Sequence, residues 1–128
     1  MEKDLYDGFE EWLDKVIAGG LPKEGAAVNF NIYEEGDGTW SLQIIVAGSY
    51  DKLDEDWACD EIFSSEEDVF EFAMESEWEE VQAACVDLIA EYLEEGQYAK
   101  DLKAYTAVCT GFIDGNLLLV YSSDEGED

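Results

Sequence analysis

Asp51, Asp54 and Asp56 come nearest to a ligand set in this chain, followed by Glu55, Asp60 and Glu61. A calcium loop of the EF-hand type places acids at alternating positions, a glycine at its sharp turn and a glutamate at its end. This stretch has neither the alternation nor the glycine, so it predicts loose attraction of cations and no specific metal site. Paired carboxylates could instead run glycoside hydrolysis or hold Mg²⁺. The chain has 34 acidic residues, and no motif sets any two of them apart. A carboxylate-dependent or metal-dependent enzyme therefore stands only as an alternative reading, with no catalytic residue to name.

The residues that are missing exclude more chemistry than the acids suggest. The chain contains no histidine, and its six basic residues are all lysine: Lys3, Lys15, Lys23, Lys52, Lys100 and Lys103. Without histidine there is no general base poised near neutral pH, and Ser–His or Cys–His nucleophile pairs cannot be assembled. Without arginine there is no bidentate clamp for phosphate or carboxylate. The net charge is −28, which makes a nucleic-acid backbone or an anionic membrane surface an unfavourable partner. Cys59, Cys85 and Cys109 are an odd, dispersed set with no metal spacing. They read as reduced thiols of a cytoplasmic protein, with Cys85 and Cys109 as buried filler. No cofactor is implied. The N-terminus lacks the basic and apolar pattern of a secretory signal, and no apolar run reaches the length of a membrane span.

The elements that must carry these residues follow from hydrophobic periodicity. From Ser65 to Gly96, Phe70, Met74, Val81, Cys85, Leu88 and Tyr92 recur at helical spacing, widened by Ala73, Trp78, Ala84, Ile89 and Leu93. This predicts a long amphipathic helix over about 66–95. Ser65 would be its N-cap, and Gly96 the left-handed residue after its end. Its opposite face carries Glu67, Glu71, Glu75, Glu79, Asp87, Glu91 and Glu94. A first helix over about 3–18 buries Leu5, Phe9, Trp12, Leu13, Val16 and Ile17, and ends at Gly19, Gly20 and Pro22.

Residues 26–48 alternate apolar and polar as a β-hairpin around a turn from Glu34 to Thr39. One face of this hairpin is expected to meet the helices and the other to be partly wet. Ala58 to Phe63 suggests a short third strand. Tyr105 to Ile113 and Asn116 to Tyr121 suggest a second hairpin turning at Asp114-Gly115. Leu117 to Val120 is apolar on both faces and predicts a central strand. The expectation is an α+β fold, an antiparallel β-sheet with two helices (about 3–18 and 66–95) packed mainly on one face. Residues 1–122 form a single domain, and residues 123–128 an acidic disordered tail.

Charge at this density repels itself and weakens the compact state. Adaptation to a salty environment would account for it and leave function open. A strongly basic protein partner would account for it through attraction, because opposite fields speed association. The size, the acidity, the α+β pattern and the Trp residues beside acids at Asp56-Trp57 and Glu77-Trp78 give the chain a general character that resembles immunity proteins. Those proteins neutralise toxin domains in bacterial competition systems by binding them. The resemblance implies a non-catalytic cytoplasmic binder of a basic toxin domain. Other acidic interaction modules, DNA mimics among them, are the alternative. The partner-binding residues expected from the sequence are Tyr50, Asp54, Glu55, Asp56, Trp57, Asp60 and Glu61, assisted by the acidic face of the long helix. Trp57 admits a second reading as a core side chain.

Overall fold

The computed structural model describes residues 2–22, 25–36, 38–50, 57, 61–65, 69–112 and 118–122. In chain order the elements are α1 (Glu2–Ala18), β1 (Ala27–Gly36), β2 (Thr39–Ala47), β3 (Glu61–Ser64), β4 (Phe70–Ala73), α2 (Trp78–Glu95), α3 (Ala99–Lys103), β5 (Ala107–Phe112) and β6 (Leu118–Ser122). The fold is α+β. Its six strands form one sheet in the order β3-β2-β1-β5-β6, and β4 also pairs with β2.

The β1–β2 hairpin is the centre of the sheet, with Val28 opposite Val46, Phe30 opposite Ile44 and Ile32 opposite Leu42. Those six side chains are fully buried and belong to the main core together with Phe9 and Leu13 of α1, Val81, Cys85 and Ile89 of α2, and Leu102 of α3. All three described helices therefore contribute to the core on one face of the sheet, where two helices were expected. Phe9 is its hub, with the rings of Trp12, Phe30, Phe70 and Tyr92 centred 5.9, 6.1, 5.7 and 6.2 Å away. Cys85 and Cys109 are buried, and burial pushes the Cys85 thiol up to about 12. Cys59 lies outside the described residues.

Four expectations need correction. The sheet is mixed, because β1 and β5 run parallel, from Ala27 beside Ala107 to Ile32 beside Phe112. A parallel neighbour requires a long crossover, and the segment containing α2 supplies it between β2 and β5.

The single helix expected over 66–95 is a strand followed by a shorter helix. Phe70 and Phe72 alternate along β4 and pair with Leu42 and Trp40 of β2. Phe70 and Met74 matched a helical spacing only because the aromatic alternation of a short strand happens to overlap it. Ser65 does not cap a helix. Its backbone N–H donates to Ile44 O at 3.0 Å and its Oγ accepts from Ile44 N at 3.3 Å, which closes the ladder on β2. The N-cap of α2 is Glu77, without a side-chain cap bond.

Gly96 has φ −68°, outside the left-handed region. Its glycine identity has another cause: a Cβ there would sit 2.6 Å from the ring of Tyr92.

The last correction concerns β6, which pairs with β5 as predicted but stands at the edge of the sheet. Leu118 and Leu119 are 41 and 45 % exposed, so the double-sided apolar run lacks the double-sided cover it suggested. The Asp114-Gly115 turn and the 123–128 tail lie outside the described residues. The short helix α3 was not foreseen; it buries Ala99 and Leu102 in five residues, too few to display a period.

The face away from the helices has two regions. Ala27, Ala47 and Ala107 stand side by side on three adjacent strands. With Ile45 and Cys109 they form a small second core closed by Trp57, with Tyr50 packed against it. Farther along the same face lies a polar strip. Asn29 Nδ2 donates to Asn31 Oδ1 at 2.6 Å, and Asn31 Nδ2 and the Tyr33 hydroxyl both donate to Gln43 Oε1, at 3.2 and 3.1 Å. Asn31, Tyr33 and Gln43 are half-buried, the partly wet surface expected of this hairpin.

Candidate functional site

The acidic side chains are spread over several surfaces. Along α2, Glu80, Asp87, Glu91, Glu94 and Glu95 are exposed while Val81, Cys85, Leu88, Ile89, Tyr92 and Leu93 are buried. α1 adds Asp7 and Glu11 to the exposed set. Where the two helices meet, the acids crowd one another. The Glu91 carboxyl is raised above the ordinary carboxylate range, first by desolvation and then by Glu95, Asp7, Glu10 and Glu94. Carboxylates gathered around Glu91 make its charged form less favourable than that of an isolated carboxylate.

The partner-binding residues expected from the sequence divide into three groups. Trp57 is 6 % exposed, and its ring lies 5.1 Å from that of Tyr50 in an edge-on contact. It covers the alanine row, so it belongs to the second core and offers little area to a partner. The small side chains of Ala27, Ala47 and Ala107 are what leave room for an indole on that face. Tyr50 is half-buried, and Glu61 is exposed on β3. Asp54, Glu55, Asp56 and Asp60 lie outside the described residues.

The Trp of the Glu77-Trp78 pair behaves in the opposite way. Trp78 opens α2 and is 52 % exposed, whereas Trp12, Trp40 and Trp57 are 8, 4 and 6 % exposed. It borders a cleft of about 450 Å³ that also receives Glu34, Trp40, Glu75 and Glu77. Three segments build this cleft. The tip of the β1–β2 hairpin turns through Gly36 and Gly38, at φ 100° and 76°, conformations that favour glycine. The chain after β4 is held against that tip: Met74 N–H donates to Gly38 O at 2.8 Å, and Trp40 Nε1 donates to Met74 O at 2.8 Å. Trp78 leans on Phe112 of β5 at 5.9 Å and 85°, and Phe112 meets Trp40 at 5.9 Å and 69°. The cleft is thus bordered by Trp40 and Trp78, both in contact with Phe112, with the carboxylates of Glu34, Glu75 and Glu77 around it. The negative end-groups also suit their place, since an α-helix start favours anions and Glu79 and Glu80 share the first turn of α2.

Reading the sequence alone places Trp78 on the buried stripe, so its role in the cleft is missed. No local signal separates Trp78 from the buried Trp12 and Trp57, because an acid precedes each of the three. Chemically, the cleft can attract and hold a cation against an aromatic face. Among the described residues no group of acids or cysteines has the arrangement to hold a metal ion, and no helix is long and apolar enough to cross a membrane. Set against known protein families, curated proteins and solved structures, the chain matches none of them.

Proposed function

We propose that this protein is a non-catalytic acidic binding module whose partner is a basic protein, acting in the manner of an immunity protein that neutralises a toxin domain by direct contact. The observation that carries this reading is a chain bearing 34 acidic residues against six lysines, without histidine or arginine. Such a field costs the folded chain stability through self-repulsion. Attraction of an oppositely charged partner offsets that cost, and can raise the association rate by roughly one to three powers of ten. The cleft at Trp78 adds what charge alone lacks, a concave aromatic spot that can fix orientation.

The test is co-purification with the protein encoded beside this one. A basic domain that binds in low salt, releases in high salt and loses its toxicity in the bound state supports the proposal. Failure to bind that domain at any ionic strength would end it, as would turnover of a substrate by the purified protein that a single carboxylate substitution abolishes.

A further inference from the structure

We infer that the cleft between the β1–β2 hairpin tip and the start of α2 is a subsite for one lysine or arginine side chain of a basic partner. The inference rests on the binding reading above and narrows it to a place and a chemistry. Carboxylates alone would not single out this spot, because they cover much of the surface. The concavity and the indole do. Trp78 is half-exposed although a ring of its size gains from burial. It is held upright by Phe112 behind it, which leaves the remaining surface of the indole facing solvent. Trp is the best aromatic partner for a cation, and Trp and Arg are enriched among interface hot spots.

The carboxylates come from both sides. Glu34 belongs to β1, while Glu75 and Glu77 precede α2, and all three are exposed. A cationic head entering between them meets negative charge from both walls. Its alkyl stem lies along the rings, as long charged side chains do when their head stays wet. Trp40 Nε1 is already committed to Met74 O, so the buried inner ring brings no competing donor to the cleft. The Glu75 stem passes within 3.3 Å of where a Cβ on Gly38 would be, so a larger residue at the hairpin tip would press on this wall of the cleft.

The probe is a short peptide of alternating lysine and serine, with its Nε-acetyl-lysine counterpart as the uncharged control. Binding to the ¹⁵N-labelled protein at low ionic strength is followed through the indole N–H resonances, and Trp78→Phe identifies the Trp78 signal. The lysine peptide should shift the Trp78 resonance, and the acetylated peptide should not. Trp78→Ala should weaken binding by roughly twofold to thirtyfold, the range for a cation on an indole, and Trp78→Phe should weaken it less. Glu75→Gln/Glu77→Gln should weaken binding more than Glu94→Gln/Glu95→Gln, which removes the same charge from the far end of α2. If the peptide binds but Trp78→Ala and the two double variants are equivalent, the cleft is not a subsite and the basic-partner reading survives. If the lysine peptide does not bind at low ionic strength, both fall together.

Discussion

The Tyr92 hydroxyl of α2 donates a 2.6 Å hydrogen bond to Asp14 Oδ1 of α1 and accepts one from Tyr98 N–H at 3.3 Å. One oxygen thus joins two helices and the start of the chain leading to α3. Burial, and then the bond to Asp14, raise the Tyr92 pKa above the ordinary phenol value, so the hydroxyl remains a donor across the neutral range. Replacing Tyr92 with Phe keeps the ring and strands both partners. Because one partner is a carboxylate, the loss should be ~1.5–3 kcal/mol, measured as a shift in the urea midpoint at unchanged slope.

Gly96 lies under the same ring. Its backbone, at φ −68° and ψ 150°, is open to any residue. On backbone grounds alone Gly96→Ala would gain ~0.4–1 kcal/mol by restricting the unfolded chain. The added methyl would stand 2.6 Å from three carbons of the Tyr92 ring. Overpacking of this kind costs ~1–3 kcal/mol, so the clash should win and the variant should be less stable than the parent. A more stable Gly96→Ala protein would show that the ring can move aside freely.

Trp57 and Trp78, each preceded by an acid, should separate by experiment. Trp57→Ala opens a cavity over the alanine row and should cost ~3–5 kcal/mol. Trp78→Ala, at the surface, should change stability by no more than ~0.5 kcal/mol. Thermal unfolding of both variants checks this. Equal losses would place Trp78 in the core, contrary to its exposure.

Acidification should stabilise the protein at the junction of α1 and α2. The folded pKa of Glu91 is raised, so the native state binds this proton more tightly than the unfolded chain does. Stability from this group is fully present below the ordinary carboxylate pKa and is lost as pH rises through the raised folded value. Glu91→Gln should therefore raise the melting temperature at pH 7 and flatten its rise on mild acidification. A variant that melts lower than the parent at pH 7 would contradict the assigned repulsion.

Added salt at neutral pH should act in the same direction on the whole molecule, since screening weakens repulsion among exposed charges within a Debye length. The melting temperature should climb between low and moderate ionic strength and then level off. A flat response would show the charges to be too dispersed to matter. A requirement for very high salt would point to a saline habitat as the origin of the acidity.

What the sequence alone determined was set by local period and composition. The first helix, the 26–48 hairpin, the pairing of the last two strands, the buried Cys85 and Cys109 and the α+β class all follow from repeats carried by adjacent residues. The absence of histidine and arginine excluded whole classes of chemistry without any coordinates. The tertiary structure decided what depends on residues far apart in the chain. Phe70 and Phe72 became a strand because β2 offered a free edge at Trp40 and Leu42, which no local pattern records. Leu118 and Leu119 are exposed because β6 is last in the sheet, and strand order is a property of the whole chain. The same holds for Trp57 and Trp78. Their local sequences are alike, an acid followed by an indole, but one ring met three alanines and was buried, while the other opened a helix beside Phe112 and stayed in solvent. Burial is fixed by what the fold brings opposite a side chain, and that information is distributed over the entire sequence.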